Sequence, residues 1–374
     1  MHYCLPLAIQ GISTSMCHRH APGGGGARRL EVHKPAATQS ANRDLVGLSA
    51  TPSLEHQTMG NMQPTVEDFP DFDAEQDAKD LCKACRGIGT DEDEIIAIIA
   101  NRSARQREEV ERAYKSMYGN DLVDVLKGEL RGELETVVVA LMDRPCVYDA
   151  KLLRGAMRGI GTDESLLVEI LCTRQNANIN AIRMSYNEIF DRDLESDLSS
   201  ETSGDLKNLL VALVQGDRDS GFDIDEDQAE EDARELHEAG EGKWGTDEFV
   251  FNAVLAKRNY MQLRATFCAY EILHGSDIEE VIKSEVSGIL QEAYLTIIRC
   301  AKDAQAYFAE KIYRSMKGVG TDDDTLIRII VSRAEVDLGT IREKFNDEYE
   351  TPLGEWVDGE CGGDYKKILL ALLH

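Results

Sequence analysis

The sequence predicts an all-α protein in which a disordered arm precedes four homologous units, each of roughly five short helices. Three observations carry this. A Gly-Thr-Asp tripeptide recurs at Gly89, Gly161, Gly245 and Gly320, at intervals of 72, 84 and 75 residues. The units then hold register without a gap. Thirteen residues after each glycine stands an arginine (Arg102, Arg174, Arg258, Arg333), 25 after it an aromatic (Tyr114, Tyr186, Tyr270, Phe345), and 43 after it another glycine (Gly132, Gly204, Gly288, Gly363). Finally, apolar residues fall at helical spacing, as in Ile95, Ile96, Ile98 and Ile99 and again in Leu166, Leu167, Ile170 and Leu171, with no alternating run of strand length beside them.

In chain order, residues 1–66 read as the arm. They hold the run Gly23 to Gly26, few aromatics, and five of the eight histidines (His2, His18, His20, His33, His56), too little apolar content for a core. Scattered histidines of this kind are expected to be solvated rather than metal-bound. The opening apolar patch has no Lys or Arg before it and contains Pro6, which makes a poor signal peptide. The repeats are expected at 67–142, 143–215, 216–302 and 303–374, the third preceded by a longer joint. Within each, Thr90, Thr162, Thr246 and Thr321 are suitable helix N-caps. The acids behind them, such as Asp91, Glu92, Asp163 and Glu164, suit the positive end of a helix better than a ligand set.

Charge excludes several functions. With 41 basic and 69 acidic residues the chain carries −28, which argues against nucleic acid and against bare anionic lipid. A phosphate-bearing partner needs a cation between. No window approaches 18 apolar residues, so no membrane-spanning helix is expected. The nine cysteines are odd in number and evenly spread, which points to free thiols in a reducing cytosol. Cys82 and Cys85 make a single CxxC without a second pair or a His-x3-His, a weak zinc or redox signal. No serine, histidine and acid are arranged as a nucleophilic set, and no catalytic centre is expected.

The chemistry sits in one glycine loop and one distant carboxylate. Forty residues after each loop glycine stands a glutamate, Glu129, Glu201, Glu285 or Glu360, with no acid on either side. A hard divalent cation such as calcium takes six to eight oxygens at relaxed geometry. A loop of the form x-x-Gly-x-Gly-Thr turns its carbonyls inward because glycine tolerates unusual dihedrals. A glutamate brought in from the next helix connection then supplies side-chain oxygens, and water or lipid phosphate completes the shell. The alternative is that the glycines only turn the chain and each glutamate caps a helix. One carboxylate per site implies weak calcium affinity and open coordination.

These four Gly-x-Gly-Thr loops, each with its glutamate forty residues on, resemble the type II calcium sites of annexins, and the likeness covers about residues 67–374. The resemblance implies a slightly curved disc of four five-helix repeats, with calcium sites on the convex face against phosphatidylserine-type membranes. By position it implies loop carbonyls at Cys85, Gly87 and Gly89; Met157, Gly159 and Gly161; Gly240, Lys243 and Gly245; and Met316, Gly318 and Gly320. Cys85 stands where a methionine is usual. The third loop is one residue longer, and Trp244 at its tip is expected at the lipid interface. In this family the arm sets protein partners, and nothing in its sequence names one. The function expected is calcium-dependent peripheral binding to anionic phospholipid, in a cytoplasmic protein recruited when calcium rises. The other reading is a helical-repeat interaction scaffold with vestigial calcium sites.

One further cluster stands out. Eight residues after the loop glycine, units one and three carry Ala97 and Ala253, whereas units two and four carry Glu169 and Arg328. Opposite charges at equivalent inward positions suggest a central polar pair. In annexins the matching positions, with Asp149 and Arg174, line a proposed ion channel, and a structural salt-bridge network is the simpler reading.

Overall fold

The computed structural model describes residues 62–374 apart from Ile88 and residues 241–245, and among the described residues there are 19 helices and no strand. Apart from its end at residues 62–66, the arm lies outside them, with its histidines and its partner surface.

Unit one runs α1 (Ala74–Ala84), α2 (Glu92–Ile99), α3 (Ala104–Tyr118), α4 (Leu122–Glu129) and α5 (Gly132–Met142). Unit two repeats the pattern as α6 (Pro145–Ala156), α7 (Glu164–Thr173), α8 (Asn176–Phe190), α9 (Leu194–Glu201) and α10 (Gly204–Val214). Unit three has α11 (Glu226–Ala239), α12 (Glu248–Lys257), α13 (Tyr260–His274) and α14 (Ile278–Glu285), then runs into the long α15 (Gly288–Met316). Asp303 interrupts α15 with extended angles (φ −161°, ψ 99°), and its carboxylate accepts the Ala306 N–H at 2.9 Å as a fresh N-cap. The two halves therefore serve as the last helix of unit three and the first of unit four. Unit four continues with α16 (Asp323–Arg333), α17 (Leu338–Tyr349), α18 (Leu353–Glu360) and α19 (Gly363–Leu372).

The N-caps fall one residue later than the sequence suggests. Asp91, Asp163 and Asp322, not the preceding threonines, accept the N–H of Glu94, Leu166 and Thr325 at 3.2, 3.0 and 3.1 Å. A carboxylate satisfies the orphan donor and also meets the positive helix end, which a hydroxyl does not, so aspartate takes the cap. The third helix of each unit ends in the left-handed region. Gly119 (φ 77°) and Gly275 (φ 78°) do this without a Cβ clash, whereas Asp191 (φ 52°) and Glu350 (φ 54°) carry the strain in units two and four.

Two cores hold the units together. Leu81, Ile95 and Leu122 of unit one pack with Ile312, Ile330 and Phe345 of unit four, and Leu153, Leu167 and Tyr186 of unit two pack with Phe251, Tyr270 and Tyr294 of unit three. Each such side chain, fully buried, contributes about 1.5–3 kcal/mol. Sequence neighbours are thus not always packing partners: the first unit joins the last. Glu335 of unit four seals that joint, accepting the Ala104 N–H at 2.8 Å and a hydrogen bond from Arg107 at 2.7 Å. Residues 63–66 lie across the same joint. Gln63 O accepts the Gly339 N–H at 2.8 Å, and Thr65 N donates to Ala334 O at 2.8 Å.

The arginine shared by all units anchors each internally. Arg102, Arg174 and Arg258 grip Asp77, Asp149 and Asp232 with two nitrogens each, at 2.6–2.9 Å. In unit four Phe308 occupies the matching place, so Arg333 lies over its ring and turns to Asp337 at 2.7 and 2.6 Å. Paired geometry of this kind is what makes a buried charge tolerable.

Candidate functional site

Each α1-type helix is followed by a short loop. In units one, two and four its two glycines hold positive φ: Gly87 122° and Gly89 92°, Gly159 118° and Gly161 90°, Gly318 131° and Gly320 85°. A Cβ at any of them would meet nothing within 4 Å, so the backbone angle and not crowding demands glycine. One hydrogen bond closes every loop, from Asp91 N to Ala84 O (3.0 Å), Asp163 N to Ala156 O (2.9 Å), Asp322 N to Ser315 O (2.7 Å) and Asp247 N to Ala239 O (2.7 Å). The residue after the accepting carbonyl is Cys85, Met157, Met316 and Gly240 respectively, so the longer third loop begins at the equivalent of the other three. Lys243, Trp244 and Gly245 lie outside the described residues.

The distant glutamates come to these loops. Glu129, Glu201, Glu285 and Glu360 are each the last residue of α4, α9, α14 and α18, and all four are exposed. Freed from capping, Thr90 Oγ1 donates to Glu129 Oε2 at 3.1 Å, and Thr162 Oγ1 reaches Glu201 Oε2 at 3.4 Å and its carbonyl at 3.3 Å. Thr246 Oγ1 donates to the Glu285 carbonyl at 3.3 Å. Among the described residues no such bond joins Thr321 to Glu360. The Cys85 thiol lies at the first of these sites, where burial, then the Glu129 carboxylate and Cys82, push it up to about 11.

Between the two glycines of the loop, Ile160 and Val319 project fully into solvent. The sequence reading singled out only Trp244. The signal is an apolar residue flanked by both loop glycines.

Glu169, on α7, reaches Arg328, on α16, by two hydrogen bonds at 2.8 and 2.9 Å, and Lys311 adds a third at 3.2 Å. The contact ties unit two to unit four, and so one core to the other. Burial pushes the Glu169 carboxyl up, but the hydrogen bonds and charge of Arg328, with Lys311 and Arg174, outweigh it and leave it below the usual range. Arg174, likewise buried, is held more firmly protonated by Asp149. Asp149 and Arg174 form unit two's copy of the internal pair found in units one and three, adjacent to the Glu169 cluster.

An all-α array of four five-helix repeats with a glycine loop and an acid in each defines a class of repeat protein. The annexin family model matches the chain four times, at residues 76–141, 148–213, 231–297 and 307–372. The chain belongs to the annexin family. It is 54% identical to annexin A13 of Homo sapiens over 84% of this chain and all of that protein. Among solved structures it resembles chicken annexin V, with 44% identity, a TM-score of 0.79 and coverage of 83% of this chain and 99% of the other. It also resembles a calcium-bound annexin (Sm)1, at 31% identity and a TM-score of 0.75, covering 83% of this chain and 93% of that one. Among the described residues no helix is long and apolar enough to cross a membrane.

Proposed function

We propose that this annexin is a non-enzymatic, peripheral binder of anionic phospholipid membranes, attached through calcium held at its four glycine loops. The observation that carries this is the threonine–glutamate contact of units one and two, which brings a carboxylate from forty residues away to the loop with no lysine or arginine among the described residues paired to it. The donor set fits the ion: backbone carbonyls and one carboxylate are hard oxygens, and no soft ligand is required. Cys85, Gly87, Gly89 and Glu129 would hold it in unit one, Met157, Gly159, Gly161 and Glu201 in unit two, Gly240, Lys243, Gly245 and Glu285 in unit three, and Met316, Gly318, Gly320 and Glu360 in unit four. Calcium, when bound, supplies the positive charge that lipid phosphate needs.

The chain's own residues do the rest. Two glycines in the loops of units one, two and four keep the backbone open at the tip, so an outside phosphate oxygen has access. Ile160 and Val319, with Trp244 in the third loop, offer apolar tips to the interface. A net charge of −28 repels an acidic bilayer, so attachment depends on local bridges and not on the overall field. Each bridge is weak, and four on one rigid array act together. By linkage, lipid raises calcium affinity by the same factor that calcium raises lipid affinity. Such a protein is cytoplasmic at rest and moves to membranes as calcium rises. The Glu169–Arg328 cluster is assigned a structural role, since every charge in it already has a partner. Sedimentation with phosphatidylserine vesicles tests the function: the protein pellets with calcium and stays in solution with chelator, and equal pelleting in both rejects it.

A further inference from the structure

We propose that Cys82 and Cys85 form a reversible disulfide that acts on the first loop alone. Cys82 lies in the last turn of α1, and Cys85 is its C-cap, with φ −88° and ψ 2°. The Cys85 N–H still donates to Leu81 O at 3.0 Å, so the helical turn extends through both residues. Residues three apart on such a turn share a face with Cβ atoms about 5–6 Å apart, and their Cα separation falls in the range a disulfide spans. Their exposures differ in a useful way. Cys85 is partly exposed and Cys82 is only 3% exposed, so an oxidant reaches Cys85 first, and burial, which keeps that thiol protonated, makes its attack slow. No other unit has this pair: the matching positions are Arg154 and Met157, His237 and Gly240, and Tyr313 and Met316.

With hydrogen peroxide as oxidant, the Cys85 sulfur attacks one peroxide oxygen, the O–O bond breaks, and water leaves with the thiol proton. Cys85 is then a sulfenic acid. The Cys82 sulfur attacks the Cys85 sulfur, the S–O bond breaks, and a second water leaves with the Cys82 proton. Two thiols have lost two electrons and the peroxide has gained them. A thiol reductant reverses the bond.

The disulfide draws the two Cβ atoms to about 3.8 Å, closer than the helical turn holds them. Cys82 is buried in the core shared by units one and four, and Cys85, only partly buried, packs against the same core where it leads into the loop, so the strain moves Cys85, the less firmly held of the two. Its backbone carbonyl belongs to the first loop, and this consequence rests on the calcium reading above. Oxidation therefore weakens the first site and leaves the other three intact.

The full chain is treated with hydrogen peroxide, its remaining thiols are blocked, and it is digested with trypsin. Lys83 lies between the two cysteines, so cleavage there leaves two peptides held together only by the disulfide. The expected result is a joined pair that separates on reduction, with a severalfold rise in the calcium needed for half-maximal vesicle binding. Cys82→Ser should show neither effect and should match the reduced protein. Peptides that separate without reductant overturn the switch, and so does a joined pair with an unchanged calcium midpoint. A reduced protein that fails to pellet with calcium would instead sink the calcium reading, and the peptide result would still decide the disulfide.

Discussion

The centre and the loop edge of the array use the same repeated register for opposite ends. At the centre every acid meets a guanidinium: Asp77, Asp149 and Asp232 inside their units, and Glu169 across to Arg328. At the loops Glu129 and Glu201 are exposed, and among the described residues their carboxylates meet a threonine hydroxyl and no cation. A carboxylate already matched by protein cations stabilises the fold and is closed to a ligand. One left unmatched at the surface adds little to stability and stays open to a cation. Substitutions at the two places should therefore fail in different assays.

The largest effect is expected at the centre. Glu169→Gln leaves Arg328 buried without its counter-charge and should cost about 3–5 kcal/mol in urea unfolding, because a lone buried charge is worse than none. Replacing both Glu169 and Arg328 with methionine should cost much less. Acid gives the same contrast. The Glu169 carboxyl titrates below the usual glutamate range when folded, so its contribution is complete above the ordinary range and is lost as pH falls through the lower folded value. The unfolding free energy of Glu169→Gln should fall less steeply with acid below about pH 4.5 than that of the parent chain. At the loops, Glu201→Gln should shift stability by no more than about 0.5 kcal/mol while raising the calcium required for vesicle binding severalfold. Smallest of all is relief of backbone strain away from both regions. Glu350→Gly places glycine at φ 54° and should stabilise by about 0.5–1 kcal/mol in thermal unfolding.

Local period and register were readable because the repeats print them four times. The helices, the loop glycines and the isolated glutamates all lie within one unit's span. What could not be read crosses units or turns on a single step of backbone. Nothing in the chain order says that Leu81 shares a core with Ile312 rather than with unit two, since that choice depends on how the last unit returns to the first. Glu169 and Arg328 share a register with opposite signs, a clue to their contact, but Lys311 joins them from an unrelated position. The caps shifted from threonine to aspartate because two adjacent residues each suit the helix start, and the carboxylate, which also meets the positive helix end, sets it one residue later. That shift is also what left Thr90 and Thr162 to reach the glutamates. Arg333 lost the aspartate its counterparts use because Phe308 stands there, and Asp337, the N-cap of the next helix, took over.

The central claim is that the loop glutamates are ligands and not caps. It is tested most directly by changing Glu129, Glu201, Glu285 and Glu360 together to glutamine and titrating calcium against phosphatidylserine vesicles. The account predicts that the variant keeps its helix content and its unfolding midpoint but no longer pellets at calcium levels that saturate the parent. Pelleting along the same calcium curve as the parent would contradict it.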